Sequence, residues 1–257
     1  MDNYLNKLFN FSGKSVLVTG ACGQLGKEIC LAFVNVGCMV FGVDVKTTQN
    51  NLPTVKYYEA DISNQEQVDQ IFSDIYEKYG KIDILINNAG VSTFEPFEER
   101  TEAKIDWVMN VNLKGTFWCI QSFVNKFDKI FQKAAVIVNI GSFYGVISPD
   151  FRIYTDCDRK NSEIYGATKA GVIQMSKYFA VHLADRNIRV NTLSPGGIFN
   201  PAAPQGTGFL NNYAFRCPMK RMANVEEMIG GILYLSSDAS SYTTGQNLII
   251  DGGMSSW

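Results

Sequence analysis

Tyr165 and Lys169 close the stretch Tyr-Gly-Ala-Thr-Lys, and of the twelve tyrosines in the chain only Tyr165 has a lysine four residues on. On a helix that spacing puts both side chains on one face, a phenol beside an ammonium, with Ser142 upstream after an apolar run. These are parts for moving a proton at an oxygen while a hydride moves nearby. A lysine charge about 4 Å from the phenol oxygen, at an effective dielectric near 20, favours phenolate by roughly 4 kcal/mol. That is enough to bring a tyrosine from about 10 to about 7. The spacing therefore predicts a proton-transfer pair whose phenol is tuned by its lysine. A surface helix can also carry such a pair by chance, so the neighbours decide.

The elements that must position this pair alternate along the chain. Buried or alternating apolar runs predict strands over 15–19, 39–43, 55–60, 82–86, 135–140, 188–193 and 247–250. Helical spacing predicts helices over 24–36, 65–79, 102–130, 164–184 and 225–236. Strand and helix in turn imply crossover connections, so the expected fold class is α/β: a Rossmann-type, doubly wound, mostly parallel sheet of seven strands with helices on both faces. The 257 residues, 46% of them hydrophobic, suffice for one domain. Two long irregular stretches, 142–163 and 195–223, are expected to form the substrate site and a lid, since long connections in compact domains are usually functional.

Where the first strand becomes the first helix lies Thr19-Gly-Ala-Cys-Gly-Gln-Leu-Gly26. Gly20, Gly23 and Gly26 allow the turn, close backbone approach and close helix packing that a pyrophosphate at a helix start requires, with Gln24 and Leu25 between them. Asp44 ends the second strand, where a carboxylate accepts ribose hydroxyls and repels a 2′-phosphate. NAD is thus expected over NADP, although Lys46 follows closely.

Composition narrows the partners. A net charge of -2 with 23 scattered basic residues gives no footprint for nucleic acid or anionic membrane, and a small polar ligand is expected. No apolar stretch reaches spanning length and no signal-peptide pattern opens the chain, so a cytoplasmic location is expected. Six cysteines without a Cys-x-x-Cys pair and one histidine argue against a metal site. His182 is expected to pack or to end its helix.

With Asn87-Asn88-Ala89-Gly90 after the fourth strand, the chain resembles the short-chain dehydrogenase/reductase family along nearly its whole length. The resemblance also runs through Asp61-Ile62, Asn110-Val-Asn112-Leu-Lys-Gly115, Ser142, Tyr165/Lys169, Ser194-Pro195-Gly196 and Thr244 to Gly253. It implies that Asn112, Ser142, Tyr165 and Lys169 form the catalytic set. Tyr165 would exchange the proton, Ser142 bond the substrate oxygen, Lys169 tune the phenol and bind the ribose, and Asn112 position a water. It further implies that Asp61 and Ile62 hold the adenine, that Asn88, Ala89 and Gly90 line the cofactor channel, and that Pro195, Gly196 and Ile198 approach the nicotinamide. A homodimer or homotetramer pairing the helices over 102–130 and 164–184 is implied as well. The glycine spacing departs from the family's usual loop, with Gln24 where a glycine is common, and Asn200 replaces a frequent threonine.

Twenty-two residues separate Ser142 from Tyr165. Their arginines, aspartates and tyrosines suit a sugar derivative, phosphorylated or nucleotide-linked, with Tyr144, Arg152, Tyr154 and Asn200 as candidate substrate contacts. In this insert and the lid segment the chain is similar to flagellin-modification oxidoreductases, which implies flagellar glycan precursor synthesis. A nucleotide-sugar isomerase or dehydratase that retains NAD, and a non-catalytic dinucleotide sensor, stand as alternatives.

Overall fold

Seven short runs pair into one sheet, the central ones buried almost throughout and the two at its edges only in part. The computed structural model describes residues 4–47, 52–156 and 160–257. Cys157, Asp158 and Arg159 of the insert lie outside them. After a short helix α1 (Tyr4–Leu8), the chain runs β1 (Ser15–Thr19), α2 (Gln24–Asn35), β2 (Met39–Asp44), β3 (Val55–Glu59), α3 (Gln65–Tyr79), β4 (Ile84–Asn87), α4 (Glu102–Met109) and α5 (Thr116–Lys129). It continues through β5 (Ala135–Ile140), α6 (Glu163–His182), β6 (Ile188–Pro195), α7 (Thr207–Arg216), α8 (Ile229–Ser236) and β7 (Asn247–Ile250). The strand order is β3-β2-β1-β4-β5-β6-β7, and every pairing is parallel.

Alternation along the strands divides the core in two. Leu17, Phe41, Leu85, Ile137 and Val190 face the layer of α3 and α5, where Ile75, Ile120 and Phe123 meet them. Val16, Val18, Val40, Ile84, Ile86 and Val138 face the layer of α2 and α8, against Ile29, Phe33 and Ile232. Chain order reverses between β1 and β4, which opens a crevice at the strand ends where this architecture binds its ligands.

Local chemistry sets the helix starts. The Asn64 side chain accepts the Gln67 amide at 3.1 Å to begin α3, and the Ser162 hydroxyl accepts the Tyr165 amide at 3.3 Å to begin α6. The helical stretch expected over 102–130 comprises α4 and α5, joined by a π-helical turn, Asn110–Gly115. The stretch 195–223 holds α7, and 142–163 contains two 3-10 turns, Phe143–Gly145 and Phe151–Ile153. The other boundaries match the expected ranges to within two residues, except over 225–236, where a 3-10 turn, Val225–Met228, precedes α8.

Candidate active site

Three compartments meet at the C-terminal edge of the sheet. The first, of about 600 Å³, is walled by the glycine loop, Asp44, Asp61, Ile62 and Asn88 to Gly90. The second, of about 250 Å³, shares Leu25, Asn88 and Gly90 with it and adds Ser142, Tyr165, Lys169, Pro195, Gly196 and Ile198. The third, of about 330 Å³, shares Ser142, Tyr165, Gly196 and Ile198 with the second and extends under α7. Ser142 and Tyr165 therefore border both inner compartments.

The first compartment fits a dinucleotide. Gly20 has φ +64, and a Cβ there would lie 2.8 Å from the Ala89 Cα; a Cβ on Gly26 would overlap the Gly20 carbonyl. Both positions therefore need glycine for the loop to turn and for α2 to approach it. Gly23 caps α2 without any side-chain hydrogen bond, which leaves the first amides of the helix facing the cleft as an anion would require. Asn88 stitches β4 to the loop, its side chain donating to the Thr19 and Gly20 carbonyls at 2.9 and 3.1 Å. The Asp44 carboxylate accepts the Cys22 and Val45 amides at 2.9 and 2.8 Å, so its position on the wall is fixed. Gln24 reaches across to donate to the Phe199 carbonyl at 2.7 Å, tying the glycine loop to the segment after β6.

At the inner compartments α6 presents the half-buried Tyr165 and the buried Lys169 on one face, as their spacing predicts. The expected tuning is absent. The Lys169 ammonium donates to the Ile140 carbonyl at 2.7 Å and stands 5.8 Å from the Tyr165 ring centre. Burial raises the Tyr165 phenol above its ordinary value, with a hydrogen bond to Ser142 pulling the other way. Burial also lowers Lys169 to about 8. Desolvation sets both directions, because each group's charged form loses water on burial.

Asn112 lies in the π-helical turn with its side chain fully engaged. Its oxygen accepts the Val91 amide at 2.8 Å, and its nitrogen donates to the Val91 carbonyl at 2.9 Å and to the Thr168 hydroxyl at 3.1 Å. Thr168 in turn donates to the Tyr165 carbonyl at 2.8 Å. Asn112 thus braces the turn of α6 that carries Tyr165.

The candidate substrate contacts divide. Tyr144 and Tyr154 line the third compartment, their hydroxyls 3.1 Å apart. Arg152 does not: its side chain is 87% exposed and bonded to Asp150 at 2.7 Å. An aspartate two residues back captures the guanidinium before it can turn inward. Asn200 is not on the wall either, because its side chain accepts the Ala202 amide at 3.0 Å to close a local turn. Residue-type reasoning missed Phe94, Asn161, Gln205, Phe209 and Tyr213, which complete the cavity. All but Phe94 fall within the two stretches expected to form the substrate site and lid, but it took the fold, α7 above all, to aim them. His182 ends α6 and stacks on Tyr178 at 5.6 Å, outside the site.

The family profile described as "Enoyl-(Acyl carrier protein) reductase" matches residues 20–255. A 3-oxoacyl-[acyl-carrier-protein] reductase of Thermotoga maritima is 37% identical over 94% of this chain and 98% of its own. An NADH-dependent L-xylulose reductase of Ambrosiozyma monospora is 33% identical over 97% of both chains. A post-translational flagellin modification protein of Campylobacter coli is 30% identical over 93% of this chain and 97% of its own. Among solved structures, a short chain dehydrogenase from Leptospira borgpetersenii with bound NAD+ is 38% identical and superposes with a TM-score of 0.90, covering 99% of this chain and 96% of that one. With the parallel sheet, the glycine loop and the Ser142, Tyr165 and Lys169 cluster described above, these likenesses identify the chain as an oxidoreductase that belongs to the short-chain dehydrogenase/reductase family.

Proposed function

We propose that the protein is an NAD(H)-dependent oxidoreductase that interconverts a secondary alcohol and a ketone on a small, uncharged sugar-like compound, a polyol or ketose. The observation that carries this reading is that Ser142 and Tyr165 border two compartments at once, one walled by Lys169 and the glycine loop side, the other by the lid. A dinucleotide would supply the hydride acceptor or donor at its nicotinamide. Gly20, Gly23, Gln24, Leu25 and Gly26 would hold its pyrophosphate, Asp44 the adenosine ribose, and Asp61 and Ile62 the adenine. Asn88, Ala89, Gly90, Pro195, Gly196 and Ile198 would line its path, with Lys169 and Tyr165 at the inner ribose. The Asp44 carboxylate favours NAD by repelling a 2′-phosphate.

Tyr165 exchanges the proton at the substrate oxygen, and Ser142 hydrogen-bonds that oxygen as its charge changes. Because burial raises the phenol, Tyr165 is protonated at neutral pH, the state that suits an acid in ketone reduction. Asn112 positions the tyrosine through Thr168.

A sugar phosphate or nucleotide sugar fits less well. Among the described residues no charged side chain lines the third compartment, whereas a phosphate calls for arginine or lysine. The L-xylulose reductase relative supports a neutral substrate. The test is to offer pentitols and hexitols with NAD, and ketoses with NADH, beside their phosphorylated counterparts. We expect stoichiometric NADH release from the neutral compounds and a kcat/KM for NAD at least about tenfold above NADP. Turnover confined to phosphorylated sugars would overturn the substrate class, and NAD retained through the cycle would overturn the reaction.

We also propose a homo-oligomer, dimer or tetramer, built on the outer faces of α5 and α6. There Leu113, Phe117, Trp118, Met175, Tyr178 and Phe179 line an open apolar groove of about 660 Å³, and Tyr178 is 61% exposed. Exposed apolar patches of this kind mark association surfaces. Tyr178→Glu should lower the sedimentation mass of the folded protein; an unchanged mass would remove this face from the interface.

A further inference from the structure

The wall of the substrate compartment holds a polar atom that the mechanism above does not use. The Gln205 side-chain oxygen is buried and has no hydrogen-bond partner among the described residues, and Gln205 lines the same cavity as Ser142 and Tyr165. Buried carbonyl oxygens without a donor are uncommon in folded proteins, because desolvating one without a partner is unfavourable. Its neighbours on the wall are already engaged. The Tyr144 and Tyr154 hydroxyls bond each other, the Tyr213 hydroxyl accepts the Gly197 amide at 2.9 Å, and the Asn161 oxygen accepts the Ser92 hydroxyl and the Ser162 amide. The remaining surface, apart from Ser142 and Tyr165, is aromatic, aliphatic or glycine.

Gln205 is also held in place. It stands just before α7, whose third amide, that of Phe209, donates to the Asp156 carboxylate at 3.1 Å. Gly208 leaves room for that carboxylate, since a Cβ there would sit 2.8 Å from it. Asn212 donates to the Thr155 hydroxyl at 2.8 Å, and the Tyr154 and Phe209 rings meet at 5.2 Å. The insert thus anchors the helix that Gln205 leads into, which pre-organises the acceptor on the cavity wall.

We propose that Gln205 is a specificity-determining residue whose side-chain oxygen accepts a hydrogen bond from a substrate hydroxyl on a carbon other than the one oxidised, so that the site selects a polyol or ketose over a simple secondary alcohol. This rests on the oxidoreductase reading above. The partner is a hydroxyl rather than an ammonium because no carboxylate lines the cavity among the described residues.

The test uses xylitol and 2-butanol with NAD, on the wild-type protein and on Gln205→Met, which keeps the length of the side chain and removes the acceptor. In Gln205→Met, kcat/KM for xylitol should fall about 10- to 100-fold, chiefly through KM, while 2-butanol changes by less than about twofold. Gln205→Glu, which keeps an acceptor, should retain most of the preference for xylitol. Equal losses on both alcohols, or no loss on xylitol, would overturn the proposal. Wild-type protein that oxidises 2-butanol as well as xylitol would overturn it while leaving the oxidoreductase reading intact. NADH formed from neither alcohol would overturn the proposal for this polyol, and the pentitol, hexitol and ketose series above then decides the oxidoreductase reading separately.

Discussion

Tyr165→Phe should lower kcat for ketone reduction by about 100- to 10,000-fold, the usual worth of a positioned general acid, while NADH affinity changes far less. The substitution removes one oxygen from a half-buried ring and leaves the brace from Asn112 through Thr168 to the Tyr165 carbonyl untouched, because that chain ends on the backbone. The fold should therefore survive. Burial raises the phenol above its ordinary value, so wild-type Tyr165 carries its proton across the neutral range and loses it only in strong alkali. Without it, the proton must come from water, a far weaker acid than a positioned phenol. Steady-state kcat and a fluorescence titration with NADH separate the two effects. A loss below about tenfold in kcat would mean that another group supplies the proton, and Tyr165 would be left as a wall residue.

The proton-transfer pair was legible because its geometry is local: four residues on one helix fix a shared face whatever the helix packs against. Its electrostatics were not legible. The lysine spends its charge on the Ile140 carbonyl, 29 positions away, and burial in the assembled site sets the phenol's direction. The same division runs through the fold. Strands such as β1 and β7 announce themselves by unbroken apolar runs and end where expected. Helix α7 does not, because its first turn begins at Gly206 with no side-chain cap of its own. Its anchor is Asp156, 53 positions earlier. The π-helical turn at Asn110–Gly115 looks like continuous helix in the periodicity, and only the bonds from Asn112 to Val91 and Thr168 account for the local slip. Arg152 has the right residue type in the right segment, yet its direction depends on a competition with Asp150 that composition does not reveal. Residues whose role follows from neighbours in sequence can be read from sequence, and those that depend on partners brought by the fold cannot.

Lys169→Met should inactivate the enzyme and yet make the ligand-free protein more stable near neutral pH. Burial lowers Lys169 from 10.5 to about 8, equivalent to about 3 kcal/mol of unfavourable charge burial, and the residue is 4% exposed, so little of that is screened. Below about pH 8 the lysine is protonated in both the folded and unfolded chains, and the folded state carries the whole penalty. Between about 8 and 10.5 the unfolded lysine keeps its proton while the folded one gives it up, so wild-type stability from this group rises with pH. Above 10.5 both are neutral and the penalty is gone. Methionine fills a similar volume without charge but leaves the Ile140 carbonyl short of a donor, which costs about 1–2 kcal/mol. The variant should therefore be about 1–2 kcal/mol more stable than wild type at pH 7 and less stable above pH 10.5, with the sign changing inside that window. Urea unfolding of both proteins across the window measures the difference, in which the titrations of all other groups cancel. A gap that stays constant with pH would mean that Lys169 is not a buried charge in the free protein. A crossover would show that this site keeps its ammonium at the expense of folding stability, the trade expected where a charge is retained for chemistry.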